Sequence, residues 1–175
     1  MIYNARLITY TRSGSAFLGY LINDRNMCKI ATGSHQLNRL RDGELLITCI
    51  RNPVDVIASS IVNELKDIKD FEDFCYGQIK GYVNFHEEVL KIKSKVIVDF
   101  NRLTTDTDAY MQEIAFRVGC QDYMMPEYVG VRLEGRGHIH SSRENDFYPQ
   151  ALEIAKRQDY TEALKVYKEV LKFCV

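Results

Sequence analysis

The chain is expected to be an α/β protein, a single-domain three-layer sandwich with a central, mostly parallel sheet. Two observations predict this. Short apolar runs rich in β-branched residues alternate along the chain with longer stretches of helical spacing. Such alternation puts helices on both faces of a parallel sheet. The second is size: 175 residues fill one domain and leave little room for another. A hydrophobic fraction of 46% supplies a packed core rather than disorder.

Tyr3–Tyr10 reads as the first strand, followed by a small-residue loop and the helical pattern Ala16, Phe17, Leu18, Leu21, Ile22. Met27–Ala31 is a second short strand, and the polar stretch Thr32–Asp42 is a loop or short helix. Glu44–Ile50 is an apolar run of the kind a buried strand shows. Pro53–Leu65 is a helix, with Asn52 a good cap and Pro53 suited to the first helical position. Lys66–Asp73 is a charged, solvated connection, and Phe71–Lys93 has helical spacing. Lys95–Phe100 is the fourth strand. Thr105–Val118 is an amphipathic helix with Thr104 or Thr105 as its cap. Gly119–Tyr148 is the least regular part. Pro149–Arg157 and Thr161–Phe173 form a helical hairpin whose pattern is similar to a fragment of a tetratricopeptide repeat. One such unit cannot bury its own face, so the hairpin is expected to pack on the sheet.

Two places in this order suit an anion. Thr11-Arg12-Ser13-Gly14-Ser15 lies between a strand and a helix. Backbone N–H groups converge at such a helix start, and Gly14 lets the backbone approach. Arg12 adds a fixed charge, while Ser13 and Ser15 add hydroxyls. It is not a Walker A loop, because G-x-x-x-x-G-K-[ST] is absent. The second place is Arg51–Ser60, RNPVDVIASS. Arg51 offers a planar fork that suits phosphate, and Ser59 lies two turns into the helix. Each has a plainer reading, an ordinary strand–helix turn and an Arg paired with a neighbouring carboxylate. Ligands in parallel sheets bind beyond the carboxyl ends of the strands, where both motifs fall.

Residues 9–18, TYTRSGSAFL, resemble the 5′-phosphosulfate loop of sulfotransferases, commonly Thr-Tyr-Pro-Lys-Ser-Gly-Thr-Thr-Trp-Leu, or Pro-Arg-Ser-Gly-Ser-Thr in other branches. RNPVDVIASS resembles that family's 3′-phosphate motif, an Arg and a Ser eight positions later, here Arg51 and Ser59. The resemblance covers roughly the first two thirds of the chain. It departs at Thr11, in place of Pro, at Ala16, which lacks a hydroxyl, and at Phe17, in place of Trp. The resemblance implies a P-loop-NTPase-like fold and transfer of a sulfuryl group from 3′-phosphoadenylyl sulfate (PAPS) to an acceptor hydroxyl or amine. The product would be 3′-phosphoadenosine 5′-phosphate (PAP), with no metal required.

It also implies roles. Arg12 is the candidate cation for the leaving phosphate, with the Ser13–Ala16 backbone (Ser13, Gly14, Ser15, Ala16) around it. His35, in Ile30–His35, resembles the strand-then-His arrangement, often Lys-Thr-His, that holds the general base. Its rival reading is a plain surface residue, with Glu64 or Asp99 as the alternative carboxylate base. Phe100 in Val96–Leu103 resembles the position near the adenine; its rival reading is a core aromatic. Arg136 and Gly137, in a segment with Gly130, Gly135, Arg132 and Arg143, resemble the Arg-Lys-Gly-x-x-Gly loop that closes over the nucleotide. His138 and His140 lack a third ligand and argue weakly for metal.

Composition sets the outer limits. With 23 basic against 24 acidic side chains, a broad nucleic-acid surface is not indicated. No run is long enough to span a membrane, and five cysteines at irregular spacing fit a reducing compartment, so a cytoplasmic protein acting on a small-molecule or glycan acceptor is expected. The oligomeric state is left open. Two other functions stay in play: a nucleotide or nucleoside kinase, and a non-catalytic nucleotide-binding or interaction module that uses the C-terminal hairpin.

Overall fold

The computed structural model describes residues 5–24, 30–120 and 145–175. Four strands form one sheet: β1 (Ala5–Ile8), β2 (Ile30–Ser34), β3 (Leu45–Ile50) and β4 (Lys95–Asp99), in the order β2-β1-β3-β4. All the pairings are parallel, with Leu7 opposite Ile47 and Ile50 opposite Asp99. The connections carry α1 (Ser15–Asp24), α2 (Pro53–Glu64) and α3 (Phe71–Lys91). After β4 come α4 (Phe100–Thr105), α5 (Thr107–Arg117), α6 (Tyr148–Lys156) and α7 (Thr161–Leu171).

Strand side chains alternate between two cores, as a pleated strand requires. Ala5, Leu7, Ile47, Cys49, Val96 and Val98 join α1 and α5 on one face. Ile8, Leu46, Ile50 and Ile97 join α2, α3, α6 and α7 on the other. Both faces are therefore covered, which explains why β3 reads as an unbroken apolar run.

Local chemistry sets the helix starts. The Asn52 side chain accepts from Val54 N at 2.9 Å, with Pro53 opening α2. Asp70 accepts from the N–H groups of Glu72 and Asp73 at the head of α3. The expected fourth strand stops one residue early. Asp99 accepts from Asn101 N at 2.9 Å, so Phe100 is the first residue of a helix rather than the last of a strand. Nor do Thr104 and Thr105 cap α5. Their hydroxyls donate back to the carbonyls of Phe100, Asn101 and Arg102 and close α4, a bond short hydroxyl side chains readily make at i−3 and i−4. The strand β2 runs to Ser34, past the expected Ala31, and a single 3-10 turn covers Leu37–Arg39.

The C-terminal hairpin lies mainly on helices, not on the sheet as expected. Helix α6 runs along α2, and α7 lies along α3 and touches β3. Ala58 of α2, with Ala151 and Ala155 of α6, are fully buried, and their small side chains let the helix axes approach. Beyond α7, Val175 N donates to the carbonyl of Ile97 at 3.1 Å on β4.

Buried within the second core is an aromatic cluster on α3. His86 is fully buried among Tyr10, Tyr82 and Phe85, with ring centroids 4.1–6.2 Å away. Its Nδ1–H donates to the Tyr82 carbonyl at 2.8 Å, and Nε2 has no partner among the described residues. Desolvation holds this imidazole neutral and its pKa down to about 4. The unfolded chain takes up the proton nearer 6.5, so the stability tied to neutral His86 is complete above that pH and is lost as pH falls towards 4. Chemical denaturation of His86→Gln between those two pH values should show a flatter fall in stability than wild type, by about one bound proton. An unchanged slope would mean that His86 is not held neutral.

Candidate functional site

The order β2-β1-β3-β4 sets the carboxyl ends of β1, β3 and β4 side by side. The segment after β1 and the segment after β3 are therefore neighbours, as a shared ligand would need. The 9–14 segment turns tightly. Ser13 N donates to the Tyr10 carbonyl at 3.2 Å, and Leu18 N to the Gly14 carbonyl at 3.0 Å. Two of its residues have left-handed backbones, Arg12 at φ 59° and Gly14 at φ 97°. Turns of this kind point successive N–H groups to one side and make anion-binding concavities. The Ser13 hydroxyl is fully buried in the turn and has no partner among the described residues. Buried hydroxyls are normally satisfied, so this one fits a loop shaped for an anion.

Three of the expected site residues meet directly. Arg12 Nε donates to Ser59 Oγ at 3.3 Å. Arg51 Nη1 donates to the Arg12 carbonyl at 3.3 Å. The two motifs thus touch through side chain and main chain alike. Arg51 is 8% exposed, and its Nε lies 4.0 Å from Asp55 one turn into α2. Tyr148 of α6 reaches the other Asp55 oxygen, its hydroxyl donating at 3.3 Å. The carboxylate pairing that was the plainer reading of Arg51 exists, then, alongside the contact with the phosphate-type loop.

Phe100 sits between the motifs. Its ring lies 4.9 Å from the Arg51 guanidinium carbon, a cation–π distance. A Cβ built on Gly14 would stand 2.4 Å from Phe100 Cδ2. Glycine is therefore required twice over at position 14, by its φ and by the ring beside it. The sequence had suggested neither of these reasons, only the approach of the backbone to a ligand.

His35 is exposed at the carboxyl end of β2, and its Nδ1 lies 2.8 Å from the Thr9 carbonyl. A carbonyl only accepts, so Nδ1 carries the hydrogen and the neutral ring keeps its lone pair on Nε2. The bond ties His35 to the residue that leads into the 11–14 turn. The alternative carboxylates are differently engaged. Asp99 caps α4, and burial, with the Glu64 charge adding to it, pushes the Tyr10 phenol up to about 12. Arg136, Gly137, His138 and His140 lie outside the described residues. Among those described, no group of three or more His, Cys, Asp or Glu side chains could hold a metal ion. Asp55, Tyr82 and Tyr148 were not expected at the site: the first two fit an ordinary helical repeat, and Tyr148 was placed in the irregular stretch before the hairpin, whereas it opens α6.

Parallel strands ending at a tight, glycine-bearing turn and an Arg-Asn-Pro helix start define the class: an α/β fold with a central parallel sheet whose strand ends bring two loops together. Among solved structures, the chain is similar to "Crystal structure of mouse sulfotransferase SULT7A1 complexed with PAP", with a TM-score of 0.53 over 92% of this chain at 14% identity. It spans 65% of the length of that mouse protein. No protein-family model matches the sequence, and no curated protein does. At this identity the likeness is one of architecture.

Gly14→Ala should be among the most damaging single-methyl changes in the chain. It forces a side chain into φ 97° and drives a carbon into the Phe100 ring. Thermal unfolding of Gly14→Ala should show a loss of about 2 kcal/mol or more. Gly14→Ala in a Phe100→Ala background should regain part of it, and no recovery there would show that the ring contact is immaterial.

Proposed function

We propose that this chain is a PAPS-dependent sulfotransferase, acting as one domain over residues 1–175 with the 149–175 hairpin packed on it. The observation that carries the reading is the junction of the two anion-type motifs. Arg12 lies 3.3 Å from Ser59, and Arg51 lies 3.3 Å from the Arg12 carbonyl. One nucleotide with phosphates at both its 5′ and 3′ positions would use both motifs at once. Arg12, with the backbone of Ser13, Gly14, Ser15 and Ala16, would hold the 5′-phosphate. Arg51 and Ser59 would hold the 3′-phosphate, with Phe100 beside them.

PAPS when bound supplies the sulfuryl group and a phosphate leaving group. The chain supplies a proton acceptor and a cation. His35 Nε2 would take the proton of an acceptor hydroxyl or amine as the new bond to sulfur forms. Arg12 and the loop N–H groups would face the charge that develops on the departing phosphate oxygen. The roles need no metal ion. The acceptor would be a small molecule or glycan. A cytoplasmic setting is supported by Cys49 and Cys75, which are buried and free. No helix among the described residues is long and apolar enough to cross a membrane.

Calorimetric titration with PAP, AMP and magnesium–ATP tests the reading. PAP should bind more tightly than AMP, and Arg51→Ala should reduce that preference by about tenfold or more, the worth of a charge-assisted hydrogen bond. Equal binding of PAP and AMP by wild type would overturn it, and a preference for magnesium–ATP would do so in favour of a kinase. In turnover assays His35→Ala should lower kcat by about a hundredfold or more while PAP affinity holds. Undiminished turnover would remove His35 as the base, and PAP binding without turnover of any acceptor would point to a binding module.

A further inference from the structure

Tyr82 lies near the middle of α3 and is fully buried. Its hydroxyl donates to the main-chain carbonyl of Arg51 at 2.9 Å. The first main-chain bond of α2 runs from Val56 N to the Asn52 carbonyl, so the Arg51 carbonyl lies just outside that helix. It takes a hydrogen bond from a different element instead. A buried phenol needs such a partner, and this one has found it at the residue that opens the second anion motif.

The ring that carries this hydroxyl is held on two sides. Tyr10 meets it edge-on, with centroids 5.5 Å apart and planes at 81°. His86 lies against it at 4.1 Å and is tied to the Tyr82 carbonyl. Tyr10 is itself anchored to α3, donating its hydroxyl to the Gln78 carbonyl at 2.8 Å. The helix makes room for it at Gly81, where a Cβ would stand 2.9 Å from Tyr10 Oη. Glycine weakens a helix interior, and here its place is explained by the tyrosine it admits. Tyr10 leads directly into the 11–14 turn. One helix therefore grips both motifs, the first through Tyr10 and the second through Tyr82.

We infer that Tyr82 is a positioning residue for nucleotide selection: by holding the Arg51 main chain it sets the guanidinium where it meets both the Arg12 carbonyl and a 3′-phosphate, and so governs discrimination between nucleotides with and without that phosphate. This rests on the proposed function. The hydrogen bond of the Tyr82 hydroxyl goes to Arg51, which the proposed function assigns to the 3′-phosphate, so its loss should act mainly on the 3′ end. Tyr82→Phe keeps the ring and both aromatic contacts and deletes only the O–H group.

The test is titration of wild type, Tyr82→Phe, Arg51→Ala and the double variant with PAP and with AMP. Tyr82→Phe should lower the PAP-over-AMP preference by about tenfold and leave AMP affinity within about twofold. Added to Arg51→Ala, it should lower the preference no further, because the effect passes through Arg51. Tyr110→Phe, which removes another fully buried phenol bonded to main chain (Asp99 N at 2.9 Å), should leave the preference unchanged. Retention of the full preference in Tyr82→Phe, an equal loss for PAP and AMP, an additive loss in the double variant, or the same loss in Tyr110→Phe would each overturn the inference while the nucleotide reading stands. Absence of any PAP preference in wild type would overturn both.

Discussion

A buried guanidinium is the constraint around which this fold is arranged. Arg51 stands at the end of a strand with 8% of its surface exposed, and a charge in that position is costly unless it is met from several sides. Asp55 meets it from the next turn of α2, the Phe100 ring from the start of α4, and the Arg12 carbonyl from the loop after β1. The Tyr82 hydroxyl of α3 holds its main chain. These partners come from four different elements: α2, α3, α4 and the loop after β1. Only a fold that brings the ends of β1, β3 and β4 together, with α3 behind them, can satisfy the residue.

The sheet order does that with little help. With β1 beside β3 and β3 beside β4, all parallel, three carboxyl ends lie in one row. The loop after each strand then reaches its neighbours over the spacing of a single strand, about 5 Å. Helices on both faces follow from the parallel pairing, because the β1–β2 and β3–β4 crossovers carry α1, α2 and α3, while the β2–β3 link makes do with the 3-10 turn at Leu37–Arg39. The apolar strands follow in turn, because both of their faces are covered. Site and core are in this sense one solution: the residues at the strand ends are placed by packing in the strand interiors.

Much of this was legible in the chain. Asn52-Pro53 marks a helix start by mechanism, and the Asn52 side chain makes the bond expected of it. The runs at β1, β3 and β4 needed only their β-branched content and their length. What escaped was decided by contacts distant in sequence. Phe100 continues the apolar run of β4, and nothing local says that Asp99 would turn to cap a helix. In the stretch Thr104–Asp108 all five residues are Thr or Asp, so several caps were available and local chemistry could not choose among them. The C-terminal hairpin resembled a repeat fragment through its Asp159–Leu164 pattern, which suits any close helix pair, and its partners turned out to be α2 and α3. Tyr82 was hidden for the same reason: on an amphipathic helix a buried tyrosine at core spacing looks like filling, and only the fold reveals what its hydroxyl touches.

The loop between β1 and α1 shows how that packing is put to use. A non-glycine residue at φ 59° is held about 1 kcal/mol above its relaxed state, so Arg12 keeps this shape only where its surroundings enforce it. They do so at three points: Ser13 N on the Tyr10 carbonyl, Arg51 on the Arg12 carbonyl, and Arg12 Nε on Ser59. Tyr10 is in turn fixed to α3. The strained turn is thus shaped by the protein's own contacts before any anion meets it. A site formed in advance spends less of its binding energy on ordering the chain, which leaves more for discrimination. The buried Ser13 hydroxyl, unpartnered among the described residues, belongs to the same arrangement: a polar group kept in place at some cost to the fold, facing a need that the fold itself does not have.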